Sequence, residues 1–327
     1  MSTALVTGAN SGLGFHAARR LAEEGFDRIF ILARTLDKAE ATRAALAEQV
    51  GRDPFVAVAA DMGDFEKVHE ASVKVASRGV KIDYVLLNAG LMGSSSVQTA
   101  GQGVELAMAA SVVGHHVLTT GLLDAGALST NATIVISGSE AARGDMPTMN
   151  LTDVTALSKE HFGGSLSQGI DAVLRGQAPY KYDNTSHYAM VKLFVAWWAA
   201  ALSRRLPAGM TVNAVSPGAT AATGFAQHQP SFVRFIYGRV MMPLMGLFGR
   251  THSLDVATAR YFAPLDWPRE RTGEFWASKP GAGYAVGPIE QMVHPHLNHI
   301  ESQEALWQVL VAITGSTLVQ PRLAMAA

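Results

Sequence analysis

The stretch TALVTGANSGLG, residues 3–14, decides the fold. An apolar, β-rich run passes through three glycines and continues into LGFHAARRLAEEG (13–25), a segment of helical periodicity. A glycine-rich turn acquires meaning when it joins a strand to a helix in this way. The first helical turn then presents unpaired N–H groups and a partial positive charge to a phosphate. Gly8 permits the tight turn, Gly12 lets the backbone approach a phosphate, and Gly14 allows close packing of helix on strand. The spacing is G-x-x-x-G-x-G, which differs from the G-x-G-x-x-G of many dinucleotide folds.

The same alternation continues along the chain. RIFILA (28–33), FVAVAA (55–60), IDYVLLN (82–88), ATIVIS (132–137) and MTVNAVS (210–216) are apolar, mostly non-alternating and punctuated by Gly, Asp or Asn. They read as buried parallel strands. LDKAEATRAALAEQVG (36–51) and GVELAMAASVVGHHVLTTGLL (103–123) read as helices between them. Strands alternating with helices imply βαβ units with right-handed crossovers, hence an α/β fold with a doubly wound parallel sheet. No internal repeat and no linker composition interrupts the pattern, so one domain over 1–327 is expected.

The 327 residues are 48% hydrophobic and 16% charged, which suits a large buried core. A net charge of -1, with no Lys/Arg run longer than two, excludes nucleic acid as the main partner. The lack of cysteine excludes disulfide scaffolds, thiolate metal sites and a cysteine nucleophile. The N-terminus has no basic segment followed by an apolar one, and the apolar runs fall short of the roughly 20 residues that span a bilayer. A soluble cytoplasmic protein is expected.

Arg34 closes the second strand twenty residues past Gly14, where NAD enzymes of this architecture carry an acid for the ribose 2′-OH. A guanidinium suits a 2′-phosphate instead, so NADP is the expected cofactor, with Lys38 one turn further on assisting. Asp61, followed by Met62, closes the third strand and can accept from an adenine amino group. LNAG (87–90) closes the fourth, with Asn88, Ala89 and Gly90 beside the cofactor path.

TGANSGLG, Asp61, NAG, a serine-bearing strand end (VISGSEA), Tyr188-x-x-x-Lys192 and SPG (216–218) follow one another in an order that resembles the short-chain dehydrogenase/reductase family. The likeness covers most of the chain. A Tyr-x-x-x-Lys pair alone is common by chance; its companions give it weight. The resemblance implies a Rossmann-type sheet of about seven strands and cofactor contacts from Gly8, Asn10, Ser11, Gly12, Leu13, Gly14, Pro217 and Gly218, with Thr223 reaching the carboxamide. It also implies that Tyr188 donates and accepts the proton, Lys192 binds the nicotinamide ribose and Ser139 holds the substrate oxygen. Residues four apart share a helix face, so an ammonium there biases a phenol of ordinary pKa ~10 towards phenolate. GVELAMAASVVGHHVLT (103–119), ATARYFAPLDWPRERTGEFWAS (257–278) and EALWQVLVAITG (304–315) resemble the retinol-dehydrogenase-like and protochlorophyllide-reductase-like branch, which suggests bulky apolar substrates.

Two departures stand out. Aligned on Gly114-His115, Ser111 stands where the family places an Asn that holds a relay water, and serine has a shorter reach. Ser139 and Tyr188 are separated by an insertion at about 144–184, either a wall of the substrate cleft or a surface elaboration or subunit contact. His115, His116 and His187 lie near the proposed machinery in sequence, and a structural role is expected for them. Trp197 and Trp198 suit core packing or a subunit contact. SFVRFIYGRVMMPLMGLFGR (231–250), within a substrate lid of about 224–250 that the resemblance implies, carries Met241, Met242 and Met245 and suits an apolar substrate, a membrane interface, or plain packing or an oligomer contact. His294, His296 and His299 have no acidic or thiolate partner in the sequence, so no metal site is expected.

The expected activity is NADP(H)-dependent interconversion of a bulky apolar ketone or aldehyde with its alcohol. C=C reduction on the same scaffold and a non-catalytic NADP-binding regulatory role are the alternatives. Peripheral membrane contact and a homo-oligomer are left open.

Overall fold

Eight strands form one sheet in the order β3-β2-β1-β4-β5-β6-β7-β8. In the computed structural model, which describes residues 1–220, 251–281 and 285–316, these are β1 (Thr3–Thr7), β2 (Arg28–Ala33), β3 (Phe55–Ala59), β4 (Ile82–Leu87), β5 (Leu128–Ser137), β6 (Thr211–Val215), β7 (Phe275–Ser278) and β8 (Ile289–Gln291). The first seven run parallel, and β8 adds an antiparallel edge to β7. The resemblance implied about seven strands; β8 is the addition, three residues long with two of them exposed.

The α-helices among the described residues are α1 (Gly12–Glu23), α2 (Leu36–Val50), α3 (Phe65–Ala76), α4 (Leu106–Asp124), α5 (Val154–His161), α6 (Leu166–Arg175), α7 (Asn184–Ser203), α8 (Leu254–Phe262) and α9 (Ile300–Thr314). The sheet is covered on both faces, which is why its strands are continuously apolar. Successive side chains point to opposite sides. Leu5, Phe30, Leu32 and Leu87 join α3, α4, α7 and α9 in one core, while Ala4, Val6, Ile29 and Ile31 join α1, α2 and α8 in the other.

Helix α4 is long and apolar enough to cross a bilayer by composition, although no run of that kind stood out in the sequence. Most of it is buried within the fold, as a core helix should be. A π-turn over Ala109–Val113 interrupts it and contains Ser111. Helix α7 is buried from His187 to Ala199. Trp197 donates to the carbonyl of His296 (2.7 Å) and Trp198 to Nδ1 of His116 (3.1 Å), so both indoles pack within this chain. The insertion contributes α5 and α6. The latter buries Ile170, Val173 and Leu174 and packs on α9, so this part of it belongs to the core rather than to a surface elaboration.

Candidate active site

Strands β1 and β4 are neighbours while the chain order reverses between them, and such a switch point opens a crevice at the carboxyl ends of the strands. The turn after β1 and the NAG segment after β4 meet there. Gly8 (φ +64°) and Gly12 (φ +55°) both occupy the left-handed region that favours glycine. A Cβ on Gly14 would lie 2.3 Å from the carbonyl oxygen of Gly8, so helix α1 can approach β1 only with hydrogen at that position. Ser11, at the N-cap of α1, makes no side-chain bond to the first-turn amides. Thr35, Asp64, Asp153, Ser165, Asp183 and Ser253 do cap α2, α3, α5, α6, α7 and α8. Asn10 is exposed on the turn and Leu13 is half-buried against the α1 core.

A buried network ties this turn to α4. Thr7 Oγ1 accepts from the amides of Asn88 and Ala89 (both 2.9 Å), so its own hydrogen goes to Nε2 of His115 at 2.9 Å. His115 Nδ1–H then donates to the carbonyl of Ser111 (3.1 Å). Burial pushes the His115 pKa down to about 4 and that of His116 to about 3, so both rings are neutral near pH 7. The Ser111 hydroxyl is buried and stands 3.0 Å from where a Cβ on Gly90 would lie, beside the NAG segment.

At the end of β5 the second group of candidates assembles. Lys192 Nζ donates to the carbonyl of Ser137 at 2.8 Å and lies 5.7 Å from the centre of the Tyr188 ring. Burial alone pushes the lysine down to about 8. Ser139 caps a 3-10 turn, Glu140–Arg143, accepting from the amide of Ala141 (3.3 Å). Ala141 packs in a buried cluster with Tyr188 and Ala189, and Met92, Met149 and Leu151 form its apolar rim. Ser139, Tyr188 and Lys192 are therefore brought to one strand end, with methionines from two different segments around the phenol. A cavity of about 760 Å³ adjoins Leu151 and runs between Gly144, Met292 and His296.

Arg34 and Lys38 are exposed where β2 passes into α2, with no carboxylate within ion-pair distance among the described residues. Asp61 accepts from the amide of Gly63 (3.1 Å), while Met62 is buried with its carbonyl under Gly114. Pro217 is buried, and Gly218 (φ +79°) is hemmed in by Arg260, His252 and the carbonyl of Ala285. Thr223 and the lid expected at 224–250 lie outside the described residues. His296 Nε2 bonds the Ala142 carbonyl (3.0 Å), and His299 Nδ1 bonds the Ser302 hydroxyl (2.8 Å).

The short chain dehydrogenase family profile matches residues 2–151, the N-terminal part of the chain that carries the glycine turn, NAG and Ser139. Over these residues the chain matches the short-chain dehydrogenase/reductase family. It is 26% identical over 275 residues to retinol dehydrogenase 13 of Homo sapiens, covering 84% of this chain and 75% of that one. It is 28% identical over 244 residues to protochlorophyllide reductase B of Oryza sativa subsp. japonica, covering 70% and 58%. These relatives fit the branch that the sequence resembles. Among solved structures, a short chain dehydrogenase from Burkholderia cenocepacia J2315 in complex with NADP shares the fold, with a TM-score of 0.57, 23% identity and coverage of 84% and 94%.

Around this candidate site lie groups that no sequence pattern singles out. Glu140, next to Ser139 and buried, accepts from the hydroxyl of Ser216 (2.5 Å) and the amide of Ser278 (3.1 Å), with Arg260 3.5 Å away. Arg260 also donates to the Ser216 carbonyl (3.2 Å) and the Ser278 hydroxyl (3.0 Å). This pair braces the SPG turn against the Ser139 turn. No local pattern announces it, because Glu140 and Arg260 meet only through the sheet.

Proposed function

We propose that the chain is an NADP(H)-dependent reductase of bulky apolar ketones or aldehydes, acting reversibly on the corresponding alcohols. The observation that carries this reading is the assembly of Tyr188, Lys192 and Ser139 at the end of β5, inside an apolar rim of Met92, Met149 and Leu151.

The residues present fit a dinucleotide. The glycine turn leaves no room for a Cβ at Gly8 or Gly14, the α1 amides are uncapped by Ser11, and Arg34 and Lys38 are exposed at the end of β2, where a 2′-phosphate would lie. The Burkholderia neighbour was solved in complex with NADP, which supports the same choice of cofactor. Gly8, Asn10, Ser11, Gly12, Leu13 and Gly14 would hold the pyrophosphate, Asp61 and Met62 the adenine side, and Asn88, Ala89, Gly90, Pro217 and Gly218 the nicotinamide half. When bound, NADPH supplies the hydride.

The chain handles the proton and the oxygen. Tyr188 gives its phenolic proton to the carbonyl oxygen as that oxygen gains charge, and Ser139 steadies the oxygen with a hydrogen bond. Lys192, fixed by Ser137, favours the phenolate that the tyrosine leaves behind. The apolar rim excludes water and selects carbonyls with hydrophobic substituents. Kinship with a protochlorophyllide reductase favours C=C reduction as a second reading on the same residues. A cytoplasmic location belongs to the same proposal.

The test is NADPH and NADH oxidation by the purified protein against aromatic, steroid-like and isoprenoid carbonyls, with product analysis. Alcohol product supports carbonyl reduction, and a saturated carbonyl supports the second reading. Tight NADPH binding without turnover on any member of the panel overturns the proposed reaction.

A further inference from the structure

We infer that the buried pair Glu105–His187, closed by Tyr180, is a positioning clamp that holds the first turn of the Tyr188 helix against the insertion and the 91–94 segment. The inference rests on the proposed role of Tyr188, whose immediate chain neighbour is His187.

Both side chains of the pair are fully buried. Removing a carboxylate from water is costly unless several donors compensate it. Here Glu105 Oε2 accepts from the amides of Ala107 (2.8 Å) and Met108 (3.1 Å) and from Nε2 of His187 (2.9 Å). The carboxylate thus caps α4 and grips α7 with one oxygen. With Nε2 carrying the hydrogen, Nδ1 of His187 accepts from the Tyr180 hydroxyl at 3.1 Å.

The other carboxylate oxygen faces the chain that leads away from NAG. A Cβ on Gly93 would lie 3.3 Å from Glu105 Oε1, 3.2 Å from Asn184 Oδ1 and 2.5 Å from the Tyr182 hydroxyl, so only glycine passes through this gap. Tyr182 donates to the carbonyl of Ser94 (3.1 Å), and its ring lies 4.7 Å from that of His187. Met92, one residue before Gly93, packs on the Tyr188 cluster.

Two further bonds attach the insertion to the same point. The amide of Glu105 donates to the carbonyl of Leu174 (2.9 Å), and Arg175 donates to the carbonyl of Gln102 (2.6 Å). Four segments, at 91–94, 102–105, 174–184 and 187–188, therefore converge on one carboxylate. Two of them carry groups at the reaction centre, Met92 and Tyr188. The insertion is a fixed wall of the site, and the clamp sets where the phenol sits relative to it.

Tyr180→Phe tests this, because it deletes one hydroxyl and keeps the ring. Glu105→Leu strands His187 and endangers folding, so it is secondary. Hydrogen exchange on the full chain without substrate should rise about tenfold over 91–94 and 180–188 and stay unchanged over the cofactor turn 8–14. With a carbonyl substrate, kcat should fall by about 3–10-fold while the KM for NADPH stays within about twofold of wild type, as expected for a displaced reacting group. Glu105→Gln, whose amide oxygen still accepts the three donors, should stay close to wild type in every readout. Unchanged exchange at 91–94 and 180–188, or a rise spread evenly over the chain, would overturn the clamp. Absence of wild-type turnover overturns the proposed reaction instead, and the exchange pattern then decides the clamp by itself.

Discussion

The ammonium of Lys192 donates to the carbonyl of Ser137 across 2.8 Å, joining helix α7 to the strand end from which Ser139 projects two residues later. This bond fixes the spacing between the helix of Tyr188, proposed to handle the proton, and the Ser139 turn, proposed to bind the substrate oxygen. It places a cation where burial opposes it. The lysine is 7% exposed, and its pKa is pushed down to about 8.

A cost in stability should follow in the protein without cofactor. A fall from the ordinary lysine value of 10.5 to about 8 corresponds to about 3 kcal/mol of disfavoured charge. The penalty is fully present below pH 8, where the buried amine is charged, and is relieved between pH 8 and 10.5, where the unfolded chain binds more protons than the folded one. Lys192→Met should therefore match or exceed wild type in denaturant unfolding at pH 7. Wild type should gain on the variant as pH rises through that window. A variant clearly less stable at pH 7 would show that the bond to Ser137 outweighs desolvation.

The proposed selection of NADP rests on Arg34. Replacing it by Ala removes charge-assisted bonds to a 2′-phosphate, and NADPH affinity should fall by about 10–100-fold. NADH affinity should change by less than about twofold. Titration of cofactor fluorescence measures both, and an equal loss for the two cofactors would count against the assignment.

Gly14→Ala probes the cradle. The new methyl would sit 2.3 Å from the backbone carbonyl oxygen of Gly8 and 2.6 Å from the side-chain Nδ2 of Asn88, which is itself held by the carbonyl of Thr7 (3.1 Å). The fold should lose about 1–3 kcal/mol and cofactor binding should weaken with it. Thermal unfolding and NADPH titration on the same preparation check both.

The apolar rim should set substrate size. Met149 touches the Tyr188 cluster from the insertion, so Met149→Ala should lower kcat/KM for bulky apolar carbonyls by about tenfold and that for small ones much less. Steady-state kinetics on a size series reads this out, and an equal effect on all sizes would remove Met149 from the substrate wall.

Much of this architecture is legible in the residues. Strands β1 to β4, β6 and β5 from Ala132 onward are largely buried on both faces, and continuous apolar runs give them away. The glycine turn, NAG, Ser139 and the Tyr188–Lys192 pair carry their meaning in local spacing. Strand β8 was not legible, since three residues with two exposed leave no pattern. The π-turn around Ser111 has no sequence signature either, because its residues are ordinary helix and core types. Glu105 with His187 and Glu140 with Arg260 were hidden for another reason. Each pair joins residues distant in sequence, and only the winding of the sheet and the docking of α6 bring them together.

The most direct test is NADPH oxidation with an apolar carbonyl by wild type and Tyr188→Phe side by side. Loss of the phenolic proton should reduce kcat by at least about 100-fold while NADPH still binds with unchanged affinity. Turnover by Tyr188→Phe close to that of wild type would contradict the account at its centre.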